Sequence, residues 1–140
     1  MGRSPALWTA MAAAWVAASA ALAGKPTWTY VSSAGGNMPP PNAGKEQTAC
    51  LVLDIDKDGV DDFVITERTQ GPSVVWYKHQ GSHKWAKRTI EPEPLHIEAG
   101  GDFLDIDGDG DLDVFFSGDY KSDGVWWWEN PYPDFDKPWK

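Results

Sequence analysis

The chain has 140 residues, enough for about one domain, and carries 21 acidic against 12 basic side chains, for a net charge of −9 at pH 7. Such a surface repels phosphate backbones and anionic lipid headgroups, so the composition argues against nucleic-acid and membrane-surface partners. Acidic residues concentrated in short stretches, as they are here, are typical of bound cations or of a solvated tail.

The amino-terminal segment is typical of a secretory signal peptide. Arg3 precedes an alanine-rich apolar run that ends in Ala21-Leu22-Ala23, a small-residue cleavage pattern. The alternative, a membrane anchor, is disfavoured because the run from Thr9 to Ala23 is shorter than the roughly 20 strongly apolar residues that a transmembrane helix needs. We expect residues 1–23 to be removed, which predicts a periplasmic or extracellular protein with no membrane span after cleavage.

Residues 24–48 are predicted to contain a trailing strand and a linker. The strand is expected at Trp28, in WTYVS, and the linker follows in the Gly- and Pro-rich stretch from Ser32 to Lys45. The single cysteine, Cys50, lies in the apolar run ACLVL, which predicts a buried free thiol. A small secreted domain without disulfides needs another stabilising element, and a metal ion is a common one.

Two stretches of the remaining chain repeat each other at an offset of 51 residues. DIDKDGVDDFVI, residues 54–65, aligns with DIDGDGDLDVFF, residues 105–116, and VVWYKH from Val74 aligns with VWWWEN from Val125 without a gap. A period near 50 residues is typical of propeller blades or stacked arrays. We therefore predict one repeat over residues 49–95 and a second, incomplete repeat over residues 96–140.

Within the complete repeat, short apolar runs separated by Asp, Gly and Pro turns predict four strands. Their expected bounds are Ala49–Asp54, Phe63–Thr66, Val74–His79 and Trp85–Ile90. Four antiparallel strands joined by tight turns form a meander, the unit of a propeller blade. The predicted fold is all-β, a partial β-propeller of about two four-stranded antiparallel blades with Asp-rich calcium loops.

Each repeat contains an Asp-rich loop whose carboxylates repel one another by about 1–4 kcal/mol per close pair. A hard divalent cation removes this cost, and Ca²⁺ binds about 6–8 oxygens in a flexible geometry that alternate carboxylates before a glycine turn can supply. The predicted side-chain ligands are Asp54, Asp56, Asp58 and Asp62 in the first loop and Asp105, Asp107, Asp109 and Asp113 in the second. The carbonyl oxygens of Val60 and Asp111 are expected to add one ligand to each site, while the side chains of Asp61 and Asp111 point outward.

Other interpretations of these loops fit less well. An EF-hand needs a glutamate at its twelfth position, where the two loops have Ile65 and Phe116, and it needs a following helix rather than a strand. Mg²⁺ demands a stricter octahedral geometry, and Zn²⁺ prefers nitrogen and sulfur ligands, which both loops lack. A solvated Asp-Gly hairpin turn and a pair of catalytic carboxylates remain as alternatives, although catalysis requires carboxylates in differing environments.

The pattern D-x-D-x-D-G-x-x-D between two strands, repeated at this period, resembles the FG-GAP/VCBS-type repeat. The resemblance covers roughly residues 49–140, with a weaker similarity around Trp28. The stretch VWWWENPYP is similar to bacterial secreted members of the family. It implies the seven-bladed propeller of integrin alpha chains and Ca²⁺ as the ion of both loops. Because the chain is long enough for fewer than two blades, the resemblance also implies a truncated member or a parent protein that continues past Lys140.

The expected function is that of a secreted, calcium-binding repeat module without catalysis of its own, in which two Ca²⁺ ions are structural. One alternative is an adhesion module that recognises a glycan or a protein, with Trp127 and Trp128 as candidate contacts. Another is a fragment of a larger secreted, polysaccharide-active enzyme. Packing between adjacent blades is nevertheless the favoured role of Trp126 to Trp128, with Trp127 facing opposite to its neighbours. His79 and His83 are expected to be surface residues rather than a metal pair.

Overall fold

Alternating apolar side chains separated by Asp, Gly and Pro turns form seven β-strands in residues 25–140, the part of the chain that the computed structural model describes. The predicted signal peptide lies outside these residues. The strands are β1 (Gln47–Leu53), β2 (Asp62–Glu67), β3 (Val74–His79), β4 (Trp85–Glu91), β5 (Ile97–Leu104), β6 (Asp113–Gly118) and β7 (Val125–Trp128). Within residues 25–140, no helix is long and apolar enough to cross a membrane.

The first repeat is a four-stranded antiparallel meander in the order β1-β2-β3-β4. Its strands agree with the prediction to within two residues at each end, and β3 has the predicted bounds. The second repeat is a three-stranded antiparallel sheet in the order β5-β6-β7. The sheets are open, and the prediction of an all-β, partial propeller is confirmed.

The two sheets have the same pairing register next to the Asp-rich loops. Leu53 pairs with Asp62 in the first sheet, and Leu104 pairs with Asp113 in the second, 51 residues further along. After β7 the chain forms turns instead of a fourth strand, and the backbone N–H of Glu129 donates to the carbonyl of Lys140 at 2.9 Å. The second sheet therefore has three strands, where the first has four.

A single hydrophobic core lies between the two sheets. One face of the first sheet contributes Leu53, Val64 and Trp76, and one face of the second contributes Phe116 and Trp128. All five residues are at most 5% exposed, because strand side chains alternate between faces and these positions share the inward side. Burial of this apolar area holds the two repeats together.

The three consecutive tryptophans of β7 alternate as predicted. Trp128 is 5% exposed and Trp126 packs against the core, whereas Trp127 points away and is 42% exposed. By the offset of 51 residues, Trp127 corresponds to the fully buried Trp76. Leu104, the counterpart of the buried Leu53, is likewise 61% exposed. The first repeat buries this face against the second repeat. The equivalent face of the second repeat is exposed to solvent at Leu104 and Trp127.

The trailing strand expected at Trp28 is not formed, and this prediction was wrong. Residues 25–46 contain no strand, and Trp28 is 92% exposed. An extended segment becomes a strand only when a neighbouring backbone accepts and donates its hydrogen bonds, and no described strand lies alongside this one. The linker that follows is irregular, as predicted, and it covers the outer face of the first sheet, where the Tyr77 hydroxyl donates to the carbonyl of Pro39 at 2.9 Å.

The prediction of a buried Cys50 was also wrong, since this thiol is exposed. In β1 the side chains of Leu51 and Leu53 face the core, while Cys50 and Val52 face the other side. The apolar run around Cys50 suggested burial on both faces. The strand instead buries one face more completely than the other.

Asn130, two residues after β7, joins the two repeats by hydrogen bonds. Its side chain is 2% exposed, and its amide nitrogen donates to the carbonyls of Ile55 and Leu112, both at 3.1 Å. Ile55 belongs to the Asp-rich loop of the first repeat, whereas Leu112 directly precedes β6. One side chain thus satisfies two buried carbonyl groups from different repeats.

We expect Asn130→Ala to lower the free energy of unfolding by about 2–3 kcal/mol, because two buried acceptors lose their donor. His79→Ala is the matched control, since His79 occupies the equivalent position in the first repeat and its backbone makes the equivalent bond. Urea denaturation of both variants measures the difference. Equal losses of stability in the two variants would contradict a bridging role for the amide.

Candidate metal sites in the Asp-rich loops

Each loop brings three aspartate side chains together, as the alternate spacing predicts. Asp54, Asp56 and Asp58 form the first cluster, and Asp105, Asp107 and Asp109 form the second. In each cluster, one carboxylate oxygen from every residue lies within 4.8 Å of the others. Ca²⁺ binds oxygens at about 2.3–2.6 Å, so two of its ligands can be about 5 Å apart at most. Both clusters satisfy this limit.

The first aspartate of each loop shapes the turn by the same hydrogen bond. The backbone N–H of Gly59 donates to a carboxylate oxygen of Asp54 at 2.9 Å, and the N–H of Gly110 donates to Asp105 at 3.1 Å. The two glycines have φ angles of 85° and 92°, a left-handed conformation that side chains with a Cβ adopt at a cost. The glycines of the motif are therefore required by the turn itself.

The fourth aspartate of the first loop lies apart from its cluster. Asp62 is 1% exposed, and its two oxygens accept hydrogen bonds from the backbone N–H of His79 at 2.7 Å and from Nε1 of Trp76 at 2.8 Å. Burial raises the pKa of Asp62, although these two hydrogen bonds act in the opposite direction. Asp62 thereby attaches the start of β2 to β3. Its assignment as a metal ligand stays a prediction.

The fourth aspartate of the second loop has the equivalent position. Asp113 is fully buried and accepts the backbone N–H of Asn130 at 2.9 Å, the bond that corresponds to that between Asp62 and His79. Its other oxygen accepts the N–H of Ile106, also at 2.9 Å. The metal-ligand role predicted for Asp113 also remains a prediction.

Asp111 does not point outward, and this prediction was wrong. Its side chain is buried, with 3% exposed, and its Oδ1 has no hydrogen-bond partner among the described residues. Burial, reinforced by the neighbouring carboxylate of Asp109, raises the pKa of Asp111 to about 6. The ammonium of Lys57, from the first loop, lowers it in part. This burial and the nearby Lys57 of the other loop depend on tertiary structure, which spacing within one loop does not predict.

The residues that follow Gly59 in the first loop are exposed to solvent. Asp61 is exposed, as predicted, and Val60 is 44% exposed. Val60 and Asp111 follow Gly59 and Gly110 directly, so the two carbonyls occupy equivalent places in the motif. Their role as metal ligands stays a prediction.

A lysine that the sequence analysis did not consider contacts the first cluster. The ammonium of Lys78, in β3, forms ion pairs with Asp56 and with Asp58, the latter at 3.0 Å. The residue 51 positions later is Glu129, which pairs with the ammonium of Lys140 at 2.6 Å. The alignment of the two repeats contains this charge reversal, so comparing residues beyond the aspartates would have revealed it.

The second cluster lies in a more negative environment. Desolvation raises the pKa of Asp107 although its side chain is exposed, and the nearby carboxylates of Asp109, Asp113 and Glu129 raise it further. The two loops thus have the same backbone geometry but different surrounding charges.

We expect Asp111→Asn to stabilise the metal-free protein by about 2–3 kcal/mol at pH 7, because its pKa rises from 3.8 to about 6 and one pKa unit corresponds to 1.36 kcal/mol. The folded-state pKa lies above the ordinary value of 3.8, so the folded state retains a proton that the unfolded state releases. The contribution of this group to stability therefore falls as the pH rises from about 4 to 6, and it stays low above that range.

Urea denaturation in EDTA between pH 4 and pH 7 measures this effect. The advantage of Asp111→Asn should shrink toward pH 4, and Asp61→Asn serves as the control for removing one exposed acid from a loop. If Asp111→Asn is less stable than the parent at pH 7, the buried carboxylate does not lower the free energy of unfolding of the metal-free protein.

Comparison with known proteins agrees with the repeat structure. Residues 54–116 match the model of the FG-GAP-like repeat family. The match begins at the first aspartate of the first loop and ends in β6, so it includes both Asp-rich loops. No curated protein and no solved structure matches the chain. The resemblance inferred from the loop motif is confirmed over residues 54–116, which are similar to an FG-GAP-like repeat.

Proposed function

We propose that this chain is a secreted, non-catalytic repeat module in which two structural Ca²⁺ ions are held by the Asp-rich loops. The observation that carries the proposal is that the same three-carboxylate cluster forms twice, at an offset of 51 residues, on the same glycine turn. Three carboxylates brought together by the backbone repel one another unless a cation accompanies them.

The side chains present fit a hard divalent cation. Every cluster member offers carboxylate oxygen, which Ca²⁺ prefers, and the flexible coordination of Ca²⁺ suits a short loop better than the octahedral geometry of Mg²⁺. Oxygens without a protein partner are also available, namely Oδ1 of Asp56 in the first loop and Oδ1 of Asp111 in the second. Buried polar atoms are normally partnered, so a bound cation accounts for both.

The role of the ion follows from where the loops lie. Each loop connects two antiparallel strands, β1 to β2 and β5 to β6, and begins next to the core between the sheets. A cation there neutralises the carboxylates and stabilises the hairpin. With a dissociation constant of about 10⁻⁴ M and millimolar calcium, each site adds roughly 1–2 kcal/mol to the free energy of unfolding.

The non-catalytic and secreted parts of the proposal rest on other observations. The clustered carboxylates occur in two copies of one turn and already accept backbone hydrogen bonds that shape it, whereas acid–base catalysis uses carboxylates with contrasting environments. Secretion is supported by the basic, apolar and small-residue pattern of residues 1–23. Calcium is available at millimolar concentration outside cells, which suits loops of this affinity.

Thermal unfolding with and without calcium tests the proposal. One millimolar Ca²⁺ should raise Tm by roughly 5–10 °C over EDTA, as expected for about 2–3 kcal/mol in a domain of this size. The double variant Asp54→Asn with Asp105→Asn should lose the response, because asparagine retains one oxygen for the turn but not the charge. Asp61→Asn is the matched control and should respond like the parent. Identical melting curves of the parent chain in Ca²⁺ and in EDTA would refute structural calcium.

A further inference from the structure

The first loop has a protein cation next to its carboxylates. Lys78 lies in β3, and its ammonium contacts Asp56 and lies 3.0 Å from Oδ2 of Asp58. The Lys78 and Asp56 side chains are only 25% and 11% exposed, so solvent screens this pair less than it would a surface pair. The ammonium therefore supplies part of the positive charge that the cluster requires.

The second loop lacks this arrangement and has additional acid. The position equivalent to Lys78 is Glu129, and the position equivalent to Val60 is the buried Asp111. Two ammonium groups lie nearby. Lys140 pairs with Glu129 and interacts more weakly with Asp107 and Asp109. Lys57 lies over the ring of Tyr132 and interacts with Asp111. Neither Lys57 nor Lys140 has an ion pair with the second cluster among the described residues, whereas Lys78 has two with the first. Oδ1 of Asp111 also lacks a partner there.

We propose that Lys78 is a built-in counter-ion that weakens divalent-cation binding to the first loop, so that the second loop binds Ca²⁺ first and more tightly. The inference rests on the proposed function and adds that the two sites differ. A Ca²⁺ ion entering the first cluster meets the charge of Lys78 and must displace its ammonium from Asp56 and Asp58. A single charge about 5 Å from a divalent ion in a water-like dielectric changes the dissociation constant about tenfold.

Calorimetric titration of the full chain with CaCl₂ measures the two sites separately when one loop is disabled. In the double variant Asp54→Asn with Asp56→Asn, only the second loop can bind Ca²⁺. In the double variant Asp105→Asn with Asp107→Asn, only the first loop can bind it. We expect the chain with only the first loop active to bind about tenfold more weakly than the chain with only the second.

Lys78→Gln in the chain with only the first loop active tests the lysine itself. It should tighten Ca²⁺ binding about tenfold, since glutamine keeps most of the side-chain length without the charge. Lys84→Gln is the matched control, because Lys84 is exposed in the turn between β3 and β4 and has no ion pair among the described residues. Equal affinities of the two loops, or an affinity unchanged by Lys78→Gln, would overturn the inference.

A second measurement keeps the inference separate from the proposed function. In EDTA, Lys78→Gln should lower Tm and Lys84→Gln should not, because the metal-free first cluster depends on its own counter-ion. If no variant binds Ca²⁺, the proposed function fails, and this melting comparison still decides whether Lys78 neutralises the cluster. If both loops bind Ca²⁺ equally and Lys78→Gln melts like the parent in EDTA, only the inference about Lys78 fails.

Discussion

A buried aspartate at the start of the second strand of each repeat holds the loop, the hairpin and the third strand together. Asp62 and Asp113 accept the backbone N–H groups of His79 and Asn130. Each carboxylate thus joins the end of an Asp-rich loop to the chain at or just after the end of the third strand. A buried carboxylate is stable only when its oxygens are satisfied, and both residues have two donors. These contacts lie where each Asp-rich loop enters its second strand, beside the residues of the clusters. Asn130 extends the constraint from one repeat to the other.

The two Asp-rich loops have the same backbone conformation but different electrostatic environments. Asp54 and Asp105 organise the same glycine turn, and three carboxylates converge in each loop. Strand β3 then places Lys78 beside the first cluster, while the segment after β7 brings Glu129 close enough to act on Asp107 of the second. Repeated sequence therefore produces repeated geometry without producing equal sites. The difference arises outside the motif, in residues that only the pairing of strands brings near it.

The strands and the clusters could be predicted because their causes are local. Side chains alternate between the two faces of a strand, and aspartate and glycine favour the turns that end a strand. Carboxylates at alternate positions of one turn approach each other whatever surrounds the turn. The burial of Asp111 and the exposure of Cys50 depend instead on what packs against each residue. Trp28 shows the same limit, since its segment has the composition of a strand but no adjacent strand to bond with.

The sequence by itself determined the repeat, its period, the order of strands in each hairpin and the six carboxylates that converge, because all of these follow from spacing along the chain. Tertiary structure decided which face of each strand is buried and which charge meets each cluster. Trp76 and Trp127 occupy equivalent positions, yet one is fully buried and the other is 42% exposed, since only the first has another sheet packed on it. Burial and Coulomb energy depend on neighbours in space, and equivalent positions in a repeat do not share those neighbours.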